Sequence, residues 1–142
     1  MLARSGVLRW SPAVLWYGLI FSLTALPGTD GESTRSALSR FGLGDWNALL
    51  RSMAHVGVFG LLAVFVWGAL HRGLDPRRPD ASRTRRRAAL IALALAASDE
   101  LHQGIVPGRH ARWIDVGYDA LGIVVGLAAV AWLWRWLLRA EA

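Results

Sequence analysis

The residues best suited to chemistry lie in one stretch, from Ser98 to Asp119, which reads SDELHQGIVPGRHARWIDVGYD. It places carboxylate, amide and guanidinium groups between two apolar segments that otherwise have the composition of membrane helices: Asp99, Glu100, Gln103, Arg109, Asp115 and Asp119. A charge at membrane depth is costly unless it is paired or hydrated, so ionisable residues there indicate a functional site. The sequence therefore predicts a polar pocket within the membrane.

Three kinds of chemistry fit these residue types: acid and base catalysis, binding of an anionic group, and, with the weakest signal, binding of a divalent ion. Two carboxyl groups in a pocket of low dielectric hold their protons with different strength, so one can donate a proton and the other accept one. We predict Glu100 and Asp115 as the candidate catalytic acid and base. An arginine binds a phosphate or carboxylate through two hydrogen bonds, so we predict that Arg109 holds a head group. Four further residues complete the predicted ligand-binding set: His55, Asp99, Gln103 and Asp119.

Other interpretations of the same residues stay open at this point. Arg109 paired with Asp99, Glu100 or Asp115 would be an ion-pair lock that fixes helix register without any reaction. Intramembrane acids are also the usual sign of an ion or proton pathway. His55 with acidic neighbours could bind a divalent ion, but the His-Glu-x-x-His spacing is missing and we predict no metal site.

The composition indicates a membrane protein. The chain has 142 residues, of which 54% are hydrophobic, and it contains eight Trp and no Cys. All 16 basic residues are Arg, and seven of them lie in residues 71–87. That placement is typical of a cytoplasmic loop that sets membrane topology, whereas a nucleic-acid surface would need a basic face on a soluble fold. Without cysteine, thiolate metal sites and disulfides are excluded.

The elements that must position the site are predicted to be four membrane spans in one domain, residues 1–142. The approximate spans are 10–26, 49–70, 88–106 and 114–138, with 71–87 as the arginine-rich loop. Residues 88–97 alone are too short to cross a bilayer, so span three must carry Asp99, Glu100 and Gln103 with it. We therefore predict an all-α four-helix transmembrane bundle with both termini cytoplasmic and the polar pocket facing outward.

Smaller features refine this prediction. A cleaved signal peptide is the alternative for the first apolar run, which ends at Pro27-Gly28, but Trp10 and Trp16 suit a retained span better. The external loop is predicted to hold a plain connection or a short interfacial helix around residues 33–41. Gly122 and Gly126 in span four form a helix-contact pattern, which we assign to packing inside the bundle, and Gly57 and Gly60 are expected to allow close approach near His55.

In their order along the chain, these residues resemble the VanZ-like family of small bacterial membrane proteins. The resemblance is carried by His55, Phe59-Gly60-Leu61, Asp99-Glu100-x-x-Gln103, Pro107-Gly108-Arg109, Asp115 and Gly122. Family members often have Asn where this chain has Asp119. The resemblance implies a four-helix membrane protein linked, through its namesake, to susceptibility to the glycopeptide teicoplanin, and it implies no established reaction.

The predicted function is that of a multi-pass protein of the bacterial inner membrane whose pocket binds an anionic envelope lipid or a lipid-linked cell-wall component. Whether a reaction follows binding is left open, and no cofactor is assigned. Membrane lipids are the expected partners, and nucleic acid is not. The alternatives are a non-enzymatic factor acting through a protein partner, with the polar residues as a structural lock, and an ion or proton pathway.

Overall fold

In the computed structural model, the described part of the chain contains four helices. They are α1 (Leu2–Thr24), α2 (Asn47–His71), α3 (Ala81–Gln103) and α4 (Trp113–Ala140). The structure describes residues 2–26, 39–42, 46–71 and 74–140, and within these ranges there is no strand. The predicted all-α fold of four helices is confirmed.

Helix α2 lies at the centre of the bundle and contacts the other three helices, as α3 also does, whereas α1 contacts only α2 and α3 among the described elements. The central position follows from the α2 sequence, in which large apolar residues recur at helical spacing: Phe59, Leu62, Val66 and Trp67 are at most 2% exposed. They pack against Ile123 and Leu127 on α4 and against small residues of α3. Neighbouring helices cover several faces of α2, and a helix in that position is expected to be apolar on more than one face, as α2 is.

Glycines bring α2 and α4 into backbone contact. A Cβ atom added at Gly60 would lie 2.8 Å from the carbonyl oxygen of Gly122, and one added at Gly126 would lie 2.6 Å from that of Gly60. Both distances are shorter than any real Cβ contact, so side chains at these positions would force the helices apart. The predicted packing role of Gly122 and Gly126 is confirmed. Gly57 has no such neighbour within 4 Å and does not share that role.

Helix α3 buries one stripe of small residues. Ala88, Ala92 and Ala96 are fully buried, and the same stripe continues into Asp99 and Gln103 at the end of the helix. Spacings of three and four residues place all five side chains on one face. The carboxylate and the amide are therefore directed into the bundle by the same periodicity that buries the alanines.

The helix bounds differ from the predicted spans. Helix α3 begins at Ala81, so four arginines of the predicted loop belong to its first two turns: Arg83, Arg85, Arg86 and Arg87. Arginine is a good helix former, and Pro79 directly precedes the N-cap residue Asp80, so the helix begins once the proline is passed. At the other end, α3 stops at Gln103 before Gly104 rather than at residue 106. The predicted chain break at Pro27-Gly28 and most of the predicted interfacial helix at 33–41 lie outside the described residues.

Two of the four helices, α2 and α4, are long and apolar enough to cross a membrane, with mean hydropathies of 2.0 and 1.9. Helix α3 has arginines in its first turns and Asp99 and Glu100 near its end, which explains why hydropathy alone does not mark it. Large apolar side chains such as Leu15 on α1 and Leu90 on α3 are about 70% exposed, as expected for a surface that faces lipid. Four spans and cytoplasmic termini stay predictions.

Candidate functional site

The predicted site residues meet at one end of the bundle. At this end, α1 and α3 finish and α2 and α4 begin. Two contacts show that they meet: Thr24 contacts Asp99, and His55 contacts Asp119. We call this group the polar cluster, and its members are Thr24, Arg51, His55, Asp99, Glu100, Gln103, Arg109, Asp115 and Asp119. The four carboxylates and the glutamine are 1% to 3% exposed. All seven predicted site residues therefore belong to one cluster, as the sequence indicated.

One network of hydrogen bonds ties α1 to α3. The Thr24 hydroxyl donates to Oδ1 of Asp99 at 2.7 Å, and the Gln103 amide donates to Oδ2 of the same carboxylate at 2.9 Å. The Gln103 oxygen accepts from Nη1 of Arg109 at 3.5 Å. Arg109 also donates from Nε to the Leu26 carbonyl at 3.0 Å and from Nη2 to the Leu23 carbonyl at 3.3 Å. The network thus begins and ends on α1.

These contacts give Arg109 a different setting from the one the sequence suggested. Among the described residues its guanidinium bonds to two backbone carbonyls and an amide oxygen, and not to Asp99, Glu100 or Asp115. The last carbonyls of a helix have no partner within the helix and carry partial negative charge, so a guanidinium there is stabilising. Arg109 therefore holds the end of α1 against the turn that follows α3.

A second network ties α2 to α4. Nη2 of Arg51 lies 2.5 Å from Oδ2 of Asp115, and Nδ1 of His55 lies 2.9 Å from Oδ1 of Asp119. Nε2 of His55 is 3.9 Å from Oδ2 of Asp115. Each helix presents its two polar side chains at a spacing of four residues, which places them one turn apart on the same face. Two cationic or ionisable groups on α2 therefore face two carboxylates on α4.

Glu100 joins this cluster to the turn before α4. Its carboxylate accepts a hydrogen bond from the backbone N–H of Arg112, immediately before the first helical residue Trp113. An acidic group is favourable at a helix N-terminus because unpaired N–H groups are concentrated there. Glu100 thus positions the start of α4, and with it Asp115.

The cluster contains more negative than positive groups. Four carboxyl groups are buried among Arg51, Arg109 and His55, so the acids outnumber the bases of the cluster even when His55 is protonated. A buried carboxylate without compensation is costly. The arrangement therefore favours a ligand that supplies hydrogen-bond donors.

A groove of about 180 Å³ opens between α1 and α2 and ends at this cluster. Its walls are apolar side chains of both helices: Trp16, Leu19, Ile20 and Leu23 from α1, and Ala54, Val58 and Phe59 from α2. Its polar end is formed by Thr24, His55 and Asp99. Leu19 and Leu23 are each about half exposed, so the groove borders the outer surface of the bundle. An apolar approach thus leads from the lipid-facing surface to ionisable groups.

The groove separates the predicted residues by position. His55 and Asp99 border it, whereas Glu100 and Asp115 do not line it and bond to Arg112 and Arg51 instead. Within the described ranges, no three His, Asp or Glu side chains are arranged to hold a metal ion. The candidate acid and base pair of Glu100 and Asp115 stays a prediction.

Two members of the cluster were not predicted as site residues. Arg51 pairs with Asp115, and its position four residues before His55 was the signal that both share a face. Thr24 had no such signal, since a threonine near a helix end usually bonds to its own backbone. His102 stacks on Phe21 with ring centres 4.1 Å apart, in keeping with an interface rather than a ligand role.

Comparison with known proteins places this arrangement in a family. The family model described as VanZ/LLP1 matches residues 10–136, which include all of α2 and α3, most of α1 and α4, and every member of the polar cluster. No curated protein and no solved structure matches the chain.

Proposed function

The chain belongs to the VanZ/LLP1 family and is a membrane protein, and on this premise we propose that it binds an envelope lipid or lipid-linked cell-wall component. The ligand's apolar part lies in the groove between α1 and α2, and its head group meets the polar cluster. The protein lies in the bacterial inner membrane with four spans and the cluster on the outer side. The arginines of the predicted loop and of the end of α4 support that orientation.

The observation that carries the proposal is the composition of the groove. Apolar walls that end in a hydroxyl, an imidazole and a carboxylate match a molecule with an apolar chain and a polar head. Sites that enclose a whole drug-sized molecule have volumes of roughly 300–1,000 Å³, and this groove has about 180 Å³. It therefore accommodates one part of a lipid while the rest stays in the bilayer.

The head group is inferred from the charges at the end of the groove. His55 borders the groove, and Arg51 lies one turn away with 26% of its side chain exposed, so both can approach an anionic group. Asp99 and Thr24 offer acceptors for hydroxyl groups. Because the carboxylates of the cluster outnumber its cations, the set fits a head group whose hydroxyls face Asp99 and Thr24 and whose anionic part is held by His55 and Arg51. Arg109 acts by positioning α1.

A second candidate function is proton transfer to or from the bound head group by His55. Nδ1 of His55 lies 2.9 Å from Asp119, and a carboxylate on one ring nitrogen orients the imidazole. The other nitrogen, Nε2, is 3.9 Å from Asp115, beyond hydrogen-bond distance, and can exchange a proton with the ligand. This arrangement makes His55 the better candidate for a base than Glu100, whose carboxylate is bonded to Arg112.

The experiment uses the full chain, extracted gently from membranes and analysed by native mass spectrometry for co-purifying lipids. Leu19→Trp fills the groove and leaves the polar cluster intact, while Leu15→Trp is the matched control on an exposed part of α1 that does not line the groove. We expect wild type and Leu15→Trp to retain a specific lipid that Leu19→Trp loses.

Retention by all three proteins, or by none, contradicts the proposal. In that case the polar cluster is a structural lock and the protein acts through a protein partner, which cross-linking in membranes would test. The family link to glycopeptides is tested separately, by comparing teicoplanin susceptibility of a deletion strain complemented with wild type, Leu15→Trp or Leu19→Trp.

A further inference from the structure

A second groove lies at the opposite end of the bundle, between the start of α3 and the end of α4. It has a volume of about 400 Å³ and is lined by apolar residues of both helices, Ala89, Val124, Leu127, Ala128 and Ala131, together with Trp132. Three arginines border it: Arg85, Arg86 and Arg135. It shares no residue with the polar cluster or with the groove between α1 and α2.

From this juxtaposition we infer that the bundle has a binding site for one anionic diacyl phospholipid, held with its acyl chain along α4 and its phosphate among Arg85, Arg86 and Arg135. The inference does not depend on the proposed function, since it concerns other residues at the other end of the molecule. Membrane topology explains why the arginines lie at this end of the bundle, but it does not explain why three of them border one apolar groove. A bound lipid explains both.

The charges support an anionic ligand. No acidic residue lines the groove, and in the described part of the chain none of the three arginines forms an ion pair with a carboxylate. By contrast, Arg77 and Arg78 in the preceding loop pair with Asp75 and Asp80. A guanidinium binds a phosphate through two hydrogen bonds, so three of them around one groove favour a phosphate group.

The dimensions support a lipid rather than a free phosphate. Val124, Leu127, Ala128, Ala131 and Arg135 follow one another at spacings of one, three and four residues and form one stripe along α4. From Val124 to Arg135 this stripe is about 16 Å long at 1.5 Å per residue, close to half of a hydrocarbon core of roughly 30 Å. The alanines leave room for a chain, and Trp132 beside the arginines suits the level of the head groups. The stripe thus matches the depth of one leaflet.

The test measures lipid retention by the purified full chain with native mass spectrometry, after exchange into detergent with phosphatidylglycerol or with phosphatidylcholine of the same acyl chains. We expect wild type to retain one phosphatidylglycerol and at least about tenfold less phosphatidylcholine. The variant Arg85→Gln/Arg86→Gln/Arg135→Gln should lose phosphatidylglycerol. The control Arg77→Gln/Arg78→Gln/Arg139→Gln removes the same charge from the same end of the bundle and should retain it.

Equal loss in both triple variants would show general attraction between a basic protein and an anionic lipid, and would overturn the proposal. Retention in both would overturn it as well.

Ala128→Trp fills the groove at an exposed position without changing any charge, so it should abolish retention. If it keeps the lipid while remaining helical by circular dichroism, the groove is not the site. Competition by soluble glycerophosphate as effective as that by the lipid would show that the apolar walls contribute nothing, and would also overturn it.

Discussion

Nη2 of Arg51 lies 2.5 Å from Oδ2 of Asp115, and this ion pair joins the start of α2 to the first turn of α4. The Asp115 side chain is 3% exposed and that of Arg51 is 26% exposed. The carboxylate therefore depends on the arginine for compensation, whereas the arginine is partly accessible.

Removal of the Arg51 charge should destabilise the bundle. Arg51→Met leaves Asp115 buried without its cation, and breaking one side of a buried pair lowers the free energy of unfolding by about 3 kcal/mol. The double variant Arg51→Met/Asp115→Asn should recover much of that loss, because the buried charge is gone. Chemical unfolding in detergent measures both effects. Arg78→Met, in an exposed pair, should cost less than about 1 kcal/mol, and an equally small loss for Arg51→Met would show that Asp115 is not dependent on it.

The contact between α1 and α3 should depend on the Thr24 hydroxyl. Thr24→Val keeps the shape of the side chain and removes the donor to Asp99, so one buried carboxylate oxygen loses a partner at a cost of about 1–3 kcal/mol. Ser22→Ala is the control, since Ser22 is exposed and, among the described residues, bonds to the Gly18 carbonyl of its own helix. Thermal unfolding followed by circular dichroism should show a lower midpoint for Thr24→Val alone. Equal midpoints for the two variants would show that the hydrogen bond from Thr24 to Asp99 does not stabilise the bundle.

The backbone contact between α2 and α4 should reject any side chain at Gly126. A Cβ atom there would lie 2.6 Å from the Gly60 carbonyl oxygen, so Gly126→Ala must separate the two helices that position the second network of the polar cluster, in which Arg51 and His55 face Asp115 and Asp119. We expect a loss of about 1–3 kcal/mol or more. Gly117→Ala meets nothing within 4 Å and should be neutral or stabilising by up to about 1 kcal/mol. The free energies of unfolding of the two variants are compared in the same detergent. Equal values would mean that the helices are not in contact at Gly126.

The contact between Asp75 and Arg77, in the loop between α2 and α3, should be lost in acid. Hydrogen bonds from the Arg77 side chain and backbone hold the pKa of the Asp75 carboxyl below its ordinary value of 3.8. Because the folded pKa is the lower one, the contact stabilises the loop above about pH 3.8 and is lost as the pH falls through the folded pKa. Arg77→Gln should raise the pKa of Asp75 towards 3.8, as measured by NMR titration of the carboxyl group. An unchanged pKa would show that Arg77 does not set it.

Much of this protein follows from its sequence by periodicity and composition. Apolar runs and their breaks predict four helices, and the spacing of the buried alanines in α3 places Asp99 and Gln103 on the inner face. Gly122 and Gly126 predict a close helix contact within the bundle, which the structure contains. Helical spacing and the order of the spans also bring all seven predicted site residues to one end.

The tertiary structure decided which of these residues meet. Sequence spacing gives the angle between side chains on one helix, but the rotation of one helix against another depends on the packing of their whole surfaces. Here the glycine contact between α2 and α4 sets that rotation, so Arg51 rather than Arg109 faces Asp115. Likewise, the end of α1 lies within reach of the turn after α3, so Arg109 bonds to backbone carbonyls there. These carbonyls have no partner within the helix, and no sequence pattern predicts which side chain will bond to them.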